Sequence, residues 1–162
     1  ANRELVGART IHALLAAGII GVFIARDATF SAEIGGCQAE CGSASGMSAA
    51  GLVTLAGGSL EQAIAAASMA LQSSLGMICD PIANRVEAPC LGKNTMAAAN
   101  ALSAANMALA GFDPLIPFDE VVVVMDQVGR SLPHALRCTG LGGLSVTKTA
   151  REIEERLKQT RK

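Results

Sequence analysis

The sequence predicts an all-α fold, a compact bundle of about six helices joined by Gly- and Cys-rich loops. Three observations carry this. Hydrophobic residues make up 51% of the 162-residue chain, yet it has no Trp, no Tyr and only four Phe. The apolar content therefore lies in Ala, Leu, Ile, Val and Met, and small side chains let helices pack closely. The long Ala-rich stretches favour helix by propensity, and capping signals mark where they start and stop. Length and the lack of a linker predict one domain over residues 1–162.

Taken in order, residues 3–25 read as a helix that is apolar nearly all round, hence buried. Its longest apolar run, Ala13 to Ala25, is shorter than the roughly 20 residues of a membrane span. His12 on this helix reads as a core residue. Residues 27–45 read as a Gly/Ser-rich loop carrying Cys37 and Cys41. Ser45 is the expected N-cap of a helix over residues 46–56, which Gly57 and Gly58 end. Ser59 with Gln62 forms a capping-box signature, predicting a helix to about Ser74. Residues 75–91 read as irregular, with Pro81 and Pro89 and with Cys79 and Cys90. Residues 92–110 are helical again, and Gly111, Pro114 and Pro117 break the chain. Asp119 is the expected cap of a helix over residues 120–129; Val121 to Val124 would also suit a strand, but the flanking polar residues favour helix. Residues 131–147 form a second Gly-rich loop, and residues 148–162 a charged, solvated helix.

A net charge of −1 offers no electrostatic platform for nucleic acid, and the missing aromatics remove base stacking. The sequence shows no targeting segment, placing the protein in the cytoplasm, off the membrane. Five cysteines, an odd number, argue against a disulfide framework. Four of them (Cys37, Cys41, Cys79 and Cys90) fall in loops beside Gly or Pro, unlike inert cysteines on apolar helix faces. Spacing alone leaves three readings open: a metal or cluster site, inert buried thiols, or a catalytic cysteine. Zinc would take four Cys or His ligands, and His12 or His134 could complete such a set.

The segments around these cysteines carry a resemblance. Residues 35–45 (GGCQAECGSAS) with Met47, Ala49 and Ala50, residues 75–83 (LGMICDPIA) and residues 86–90 (VEAPC) resemble the iron–sulfur-dependent L-serine dehydratases, alpha subunit. Lys93-Asn94, residues 117–121 (PFDEV) and residues 139–144 (TGLGGL) are similar too, so the likeness spans about residues 10–150. It implies that the chain is the C-terminal part of the catalytic alpha region, whose family members extend further at the N-terminus. It implies a [4Fe–4S] cluster held by Cys37, Cys79 and Cys90, whose separations of 42 and 11 residues resemble the family's. Their sulfurs should then lie within about 7 Å of one another. Cys41 is the implied non-ligand. Cys138 stands where similar chains more usually have Glu.

Three ligands leave one iron open as a Lewis acid. The implied reaction is elimination from L-serine to pyruvate and ammonia without pyridoxal phosphate, a step in amino-acid degradation and gluconeogenesis. Iron eases departure of the poor hydroxide leaving group, and a base removes the α-proton. His134, Lys93, Glu40 and Glu87 are the base candidates; Lys93 and Asn94 could bind the substrate carboxylate, and Ser43 and Ser45 could donate hydrogen bonds. The implied partners are L-serine and a beta subunit or beta domain, in an oligomer. Two other readings compete: an L-cysteine desulfidase with a similar cluster, and a non-catalytic, metal-binding helical subunit.

Overall fold

The computed structural model describes residues 2–160, with side chains from Gly7 onward. Seven α-helices account for most of them: α1 (Asn2–Asp27), the single-turn α2 (Ala32–Gly35), α3 (Ser43–Ala56), α4 (Leu60–Gln72), α5 (Cys90–Leu109), α6 (Phe118–Ser131) and α7 (Lys148–Thr160). No β-strand occurs among the described residues; one isolated bridge pairs Cys79 with Arg137. The expected all-α class holds, and residues 121–124 are helical within α6.

The core is made by α3, α4 and α5, with α1 and α6 laid against them. Small residues set the spacing. Gly51 of α3 lies so close to α1 that a Cβ there would sit 3.1 Å from the Ala13 carbonyl oxygen. Ala49, Ala50, Ala66, Ala67, Ala70, Ala101, Ala104, Ala105 and Ala108 fill the seam between the helices. Polar side chains tie helix to helix: Asn100 donates to both Ser45 Oγ and the Ala70 carbonyl, each at 2.9 Å, and Ser68 Oγ donates to the Ile116 carbonyl at 2.7 Å.

The cap between α3 and α4 matches the sequence reading. Gly57 takes the left-handed conformation (φ 84°) that ends α3. Ser59 and Gln62 then make both bonds of the capping box at the start of α4. Ser59→Ala is expected to cost about 1 kcal/mol, read as a lower urea midpoint with an unchanged slope.

Four local expectations are corrected. The first helix is not buried all round. Only the stripe Ala13, Ile20, Gly21 and Ile24 is buried, while Leu14, Leu15 and Val22 are more than 60% exposed and Ile11, Ile19 and Phe23 are exposed too. One straight helix presents one face to α3, and no other described element covers the opposite face. Residues 7–27 are long and apolar enough to cross a membrane by length and composition, with a mean hydropathy of 1.8; the helix nevertheless packs along α3. His12 sits on the exposed side and is not a core residue.

Second, the loop expected over residues 27–45 ends early. A helical path begins at Cys37 and runs through a π turn, Gln38–Gly42, straight into α3. Ser45 is therefore inside the helix, its Oγ donating to the Ala97 carbonyl at 2.9 Å, and caps nothing. Third, α5 starts at Cys90 rather than Gly92. Fourth, α6 starts at Phe118 after Pro117, so Asp119 lies in the first turn, where its charge faces the positive end of the helix dipole.

Candidate metal centre

Three separate segments deliver the cysteines to one place. The first is the opening of the Cys37 helix. Gly36 precedes it at φ 73°, and a Cβ there would lie 2.7 Å from the Met77 carbonyl oxygen, so this close approach requires glycine. Gln38 is fully buried and fastens the segment at both ends: its Nε2 donates to the Met125 carbonyl at 2.7 Å, and its Oε1 accepts the Gly76 N–H at 2.9 Å. Cys37 and Cys41 are one turn apart and share a face. Their sulfurs and a carboxylate oxygen of Glu40 lie within 4.8 Å of one another.

The second segment is the strand-like stretch at Cys79. Its N–H donates to the Leu136 carbonyl at 2.9 Å, and its carbonyl accepts the Cys138 N–H at 2.8 Å. This pairing brings Cys138, from the loop after α6, beside Cys79. The third segment is the start of α5, with Cys90 in its first turn.

Cys37, Cys41 and Cys79 are buried together with Ala32 and Ala97, and Cys138 packs against that group. Burial first, and then the neighbouring Cys37 and Cys138 thiols, raise Cys79. Cys79, Cys90 and Cys138 also line a cavity of about 590 Å³, whose wall includes Glu40, Asn94 and Phe30. Cys90 stands at this wall, outside the tight Cys37–Glu40–Cys41 group.

Lys93 and Asp80 hold the Cys79 and Cys90 segments together. The Lys93 ammonium donates to Asp80 Oδ1 and to the Ile78 carbonyl, both at 2.6 Å. The other oxygen of Asp80 accepts the Leu144 N–H at 2.8 Å. Gly143, at φ 60°, stands over this carboxylate, and a Cβ there would meet it at 2.5 Å. Asp80 is 3% exposed. It carried no assigned role in the sequence reading, although it sits between Cys79 and Pro81; its importance depends on a lysine 13 residues away. Asn94 lines the cavity and donates to the Cys90 carbonyl at 2.9 Å, and its Oδ1 accepts none of the described hydrogen bonds. His134 is exposed at the start of a 3₁₀ turn (His134–Leu136) and is not on the cavity wall. Glu87 pairs with Arg85 in an exposed ion pair. Ser43 Oγ is buried and has no hydrogen-bond partner.

The electrostatics suit a cation. Burial pushes the Cys37 thiol up to about 11, against contacts with Cys79 and Lys93 that lower it. Burial likewise raises Cys79, Cys41 and Cys90. Burial works to lower Lys93, but the Asp80 carboxylate and the facing cysteines outweigh it, leaving its pKa raised. Buried neutral thiols crowded together gain little from one another. A soft metal would deprotonate them and bind the thiolates, while Lys93 offsets part of the negative charge. The donor set of clustered thiols therefore fits a soft metal or an iron–sulfur cluster.

The sign of the pH effect follows from Cys37. Its folded pKa lies above the 9.0 of a free thiol. Its contribution to stability is thus complete below about pH 9 and lost as pH rises through about 11. The metal-free chain is expected to keep a constant urea midpoint from about pH 7 to 8.5 and to lose on the order of 2 kcal/mol by pH 11. A midpoint that rises over that range would contradict the buried, neutral thiol.

The family model described as serine dehydratase alpha chain matches residues 2–145. The chain is 53% identical over 134 residues to "L-serine dehydratase, alpha chain" of Peptoniphilus asaccharolyticus, covering 83% of this chain and 46% of the relative. It is 50% identical over 147 residues to "Probable L-serine dehydratase, alpha chain" of Bacillus subtilis (strain 168), covering 91% and 49%. It is 40% identical over 133 residues to "L-serine dehydratase 1" of Escherichia coli (strain K12), covering 82% and 29%. The chain thus spans about half the length of the two alpha chains.

Proposed function

The chain belongs to the serine dehydratase alpha chain family, and from that premise we propose that it is the cofactor-binding catalytic part of a lyase converting L-serine to pyruvate and ammonia. The observation that carries the proposal is the position of Cys79, which is buried with Cys37 and shares the wall of an open cavity with Cys90. In this reading the three thiolates hold a [4Fe–4S] cluster. When bound, such a cluster with one iron free of protein ligands supplies a Lewis acid for departure of the serine hydroxyl.

The chain's own residues do the rest. Asn94 offers Oδ1 to the substrate ammonium, since its Nδ2 is engaged by Cys90. Lys93 spends two of its three N–H donors on Asp80 and Ile78 and stands off the cavity wall, so it holds the Cys79 and Cys90 segments in position. Glu40 is the carboxylate that reaches both the cavity and the cysteines, and it removes the α-proton. Loss of that proton and of the hydroxyl gives aminoacrylate, which tautomerises and hydrolyses to pyruvate and ammonia. His134, exposed and off the wall, is the second candidate base.

The beta portion of the dehydratase, separate or fused, is the proposed partner. The uncovered apolar face of α1 and the relatives' designation as alpha chains support it.

The test is pyruvate release from L-serine and from L-cysteine by anaerobically reconstituted protein with its beta partner. Serine is the expected better substrate. Glu40→Gln is expected to lower kcat by about 10²–10⁴ at unchanged iron content, while His134→Gln stays within about threefold of the parent protein. An iron-loaded Glu40→Gln protein of full activity would remove Glu40 as the base.

A further inference from the structure

We infer that Cys79 and Cys138 form a reversible disulfide when the chain carries no metal, and that this bond closes the chain to cofactor loading. The backbone alone brings the pair within range. The Cys138 N–H donates to the carbonyl of Cys79 itself at 2.8 Å. With standard bond lengths, that contact caps the Cα–Cα separation at about 6.7 Å, inside the roughly 4.4–6.8 Å that disulfides span. Cys138 also packs against the buried group that contains Cys79. All five cysteines are free in the structure.

Exposure sets the order of events. Cys79 is 2% exposed. Cys138 is half-buried and lies on the wall of the 590 Å³ cavity, where a small peroxide can reach it. Hydrogen peroxide oxidises the Cys138 thiol to a sulfenic acid and leaves one water. The Cys79 thiol then attacks that sulfur, the S–S bond forms, and the sulfenic oxygen departs as a second water. Two thiols lose two electrons and one peroxide becomes two waters. Cys37 is buried in the same group as Cys79, but at 1% exposure it does not meet the oxidant. The consequence for loading rests on the proposed role of Cys79 as a ligand, because the disulfide withdraws that sulfur. Cys138 then guards the pair in a recoverable form, restored by a thiol reductant.

The experiment uses the full chain, metal-free and reduced, exposed to a few equivalents of hydrogen peroxide. Non-reducing peptide mapping is expected to show a Cys79–Cys138 crosslink and a mass loss of about 2 Da, reversed by a phosphine reductant. Iron and sulfide are then offered anaerobically to the reduced parent, the oxidised parent and oxidised Cys138→Ser. The oxidised parent is expected to take up less than about a tenth of the iron bound by the reduced parent, and oxidised Cys138→Ser to load like its own reduced form. Crosslinking of Cys79 mainly to Cys37 or Cys90, a full set of free thiols after peroxide, or normal iron uptake by the crosslinked parent would overturn the inference. The mapping uses the unaltered chain and needs no metal. A Cys79–Cys138 crosslink in the oxidised chain, with no iron bound by the reduced chain, would uphold the disulfide and sink the cluster reading instead.

Discussion

Cys79→Ser is expected to reduce iron bound after anaerobic reconstitution to background and to abolish pyruvate formation, whereas Cys41→Ala keeps most of both. A neutral hydroxyl is a poor substitute for a soft thiolate, and with three protein ligands no spare sulfur replaces the lost one. Cys79 is also where the segments meet: it is buried with Cys37, and its carbonyl accepts the Cys138 N–H. The structure makes Cys41 a more serious competitor than the sequence did. Its sulfur lies within 4.8 Å of the Cys37 sulfur, and it is 1% exposed. Cys90 stands further out, on the cavity wall. The paired variants therefore discriminate. Iron lost as completely from Cys41→Ala as from Cys79→Ser would mean that Cys41 ligates, and a closed four-cysteine site would remove the open coordination position. Iron lost from Cys41→Ala but kept by Cys90→Ser would replace the proposed third ligand outright. The readout is iron and sulfide per chain, so it does not depend on a beta partner.

Much of the fold is legible locally because its signals are local. The Ser59–Gln62 box and the left-handed Gly57 each involve residues within one turn, and both fall where the sequence places them. The errors come from tertiary context. An apolar run such as residues 13–25 says that a helix is greasy, not how many of its faces are covered; here α3, with lesser contacts from α4 and α6, takes only the Ala13–Ile24 stripe. The Ser45 cap fails because the helix starts earlier, at Cys37, through a π turn fixed by Gln38 and its contacts with Met125 and Gly76. That widened turn had one sequence-level trace. A Cys-x3-Cys step reads as a chance pair in a loop but as two sulfurs on one face once helical. At the site, the cysteine segments are visible as motifs, while the proximity of Cys138 to Cys79 arises from pairing between stretches almost 60 residues apart. No periodicity encodes such a contact.

Lys93→Met is the other substitution with a large expected effect, and it separates two roles for the lysine. If Lys93 only binds the substrate carboxylate, its loss raises KM and leaves folding and iron loading untouched. The geometry points elsewhere. Its ammonium joins Asp80 Oδ1 and the Ile78 carbonyl, so it bridges the Cys79 segment to the helix that begins at Cys90. The ion pair is largely out of water, with side chains 17% and 3% exposed. Removing the cation leaves the Asp80 carboxylate buried, with the Leu144 N–H as its remaining described partner. Breaking a buried pair in this way costs about 3–5 kcal/mol, a fall in Tm of about 10 °C for a domain of this size. Asp80→Asn keeps an acceptor for Leu144 and removes the stranded charge, so Lys93→Met/Asp80→Asn is expected to regain part of the loss. That non-additivity marks a direct pair. Iron retention should follow the same order: parent, double variant, Lys93→Met. A Lys93→Met chain with parental Tm and iron content but an elevated KM for serine would reverse the assignment, making Lys93 a substrate ligand whose pairing with Asp80 is incidental to the fold.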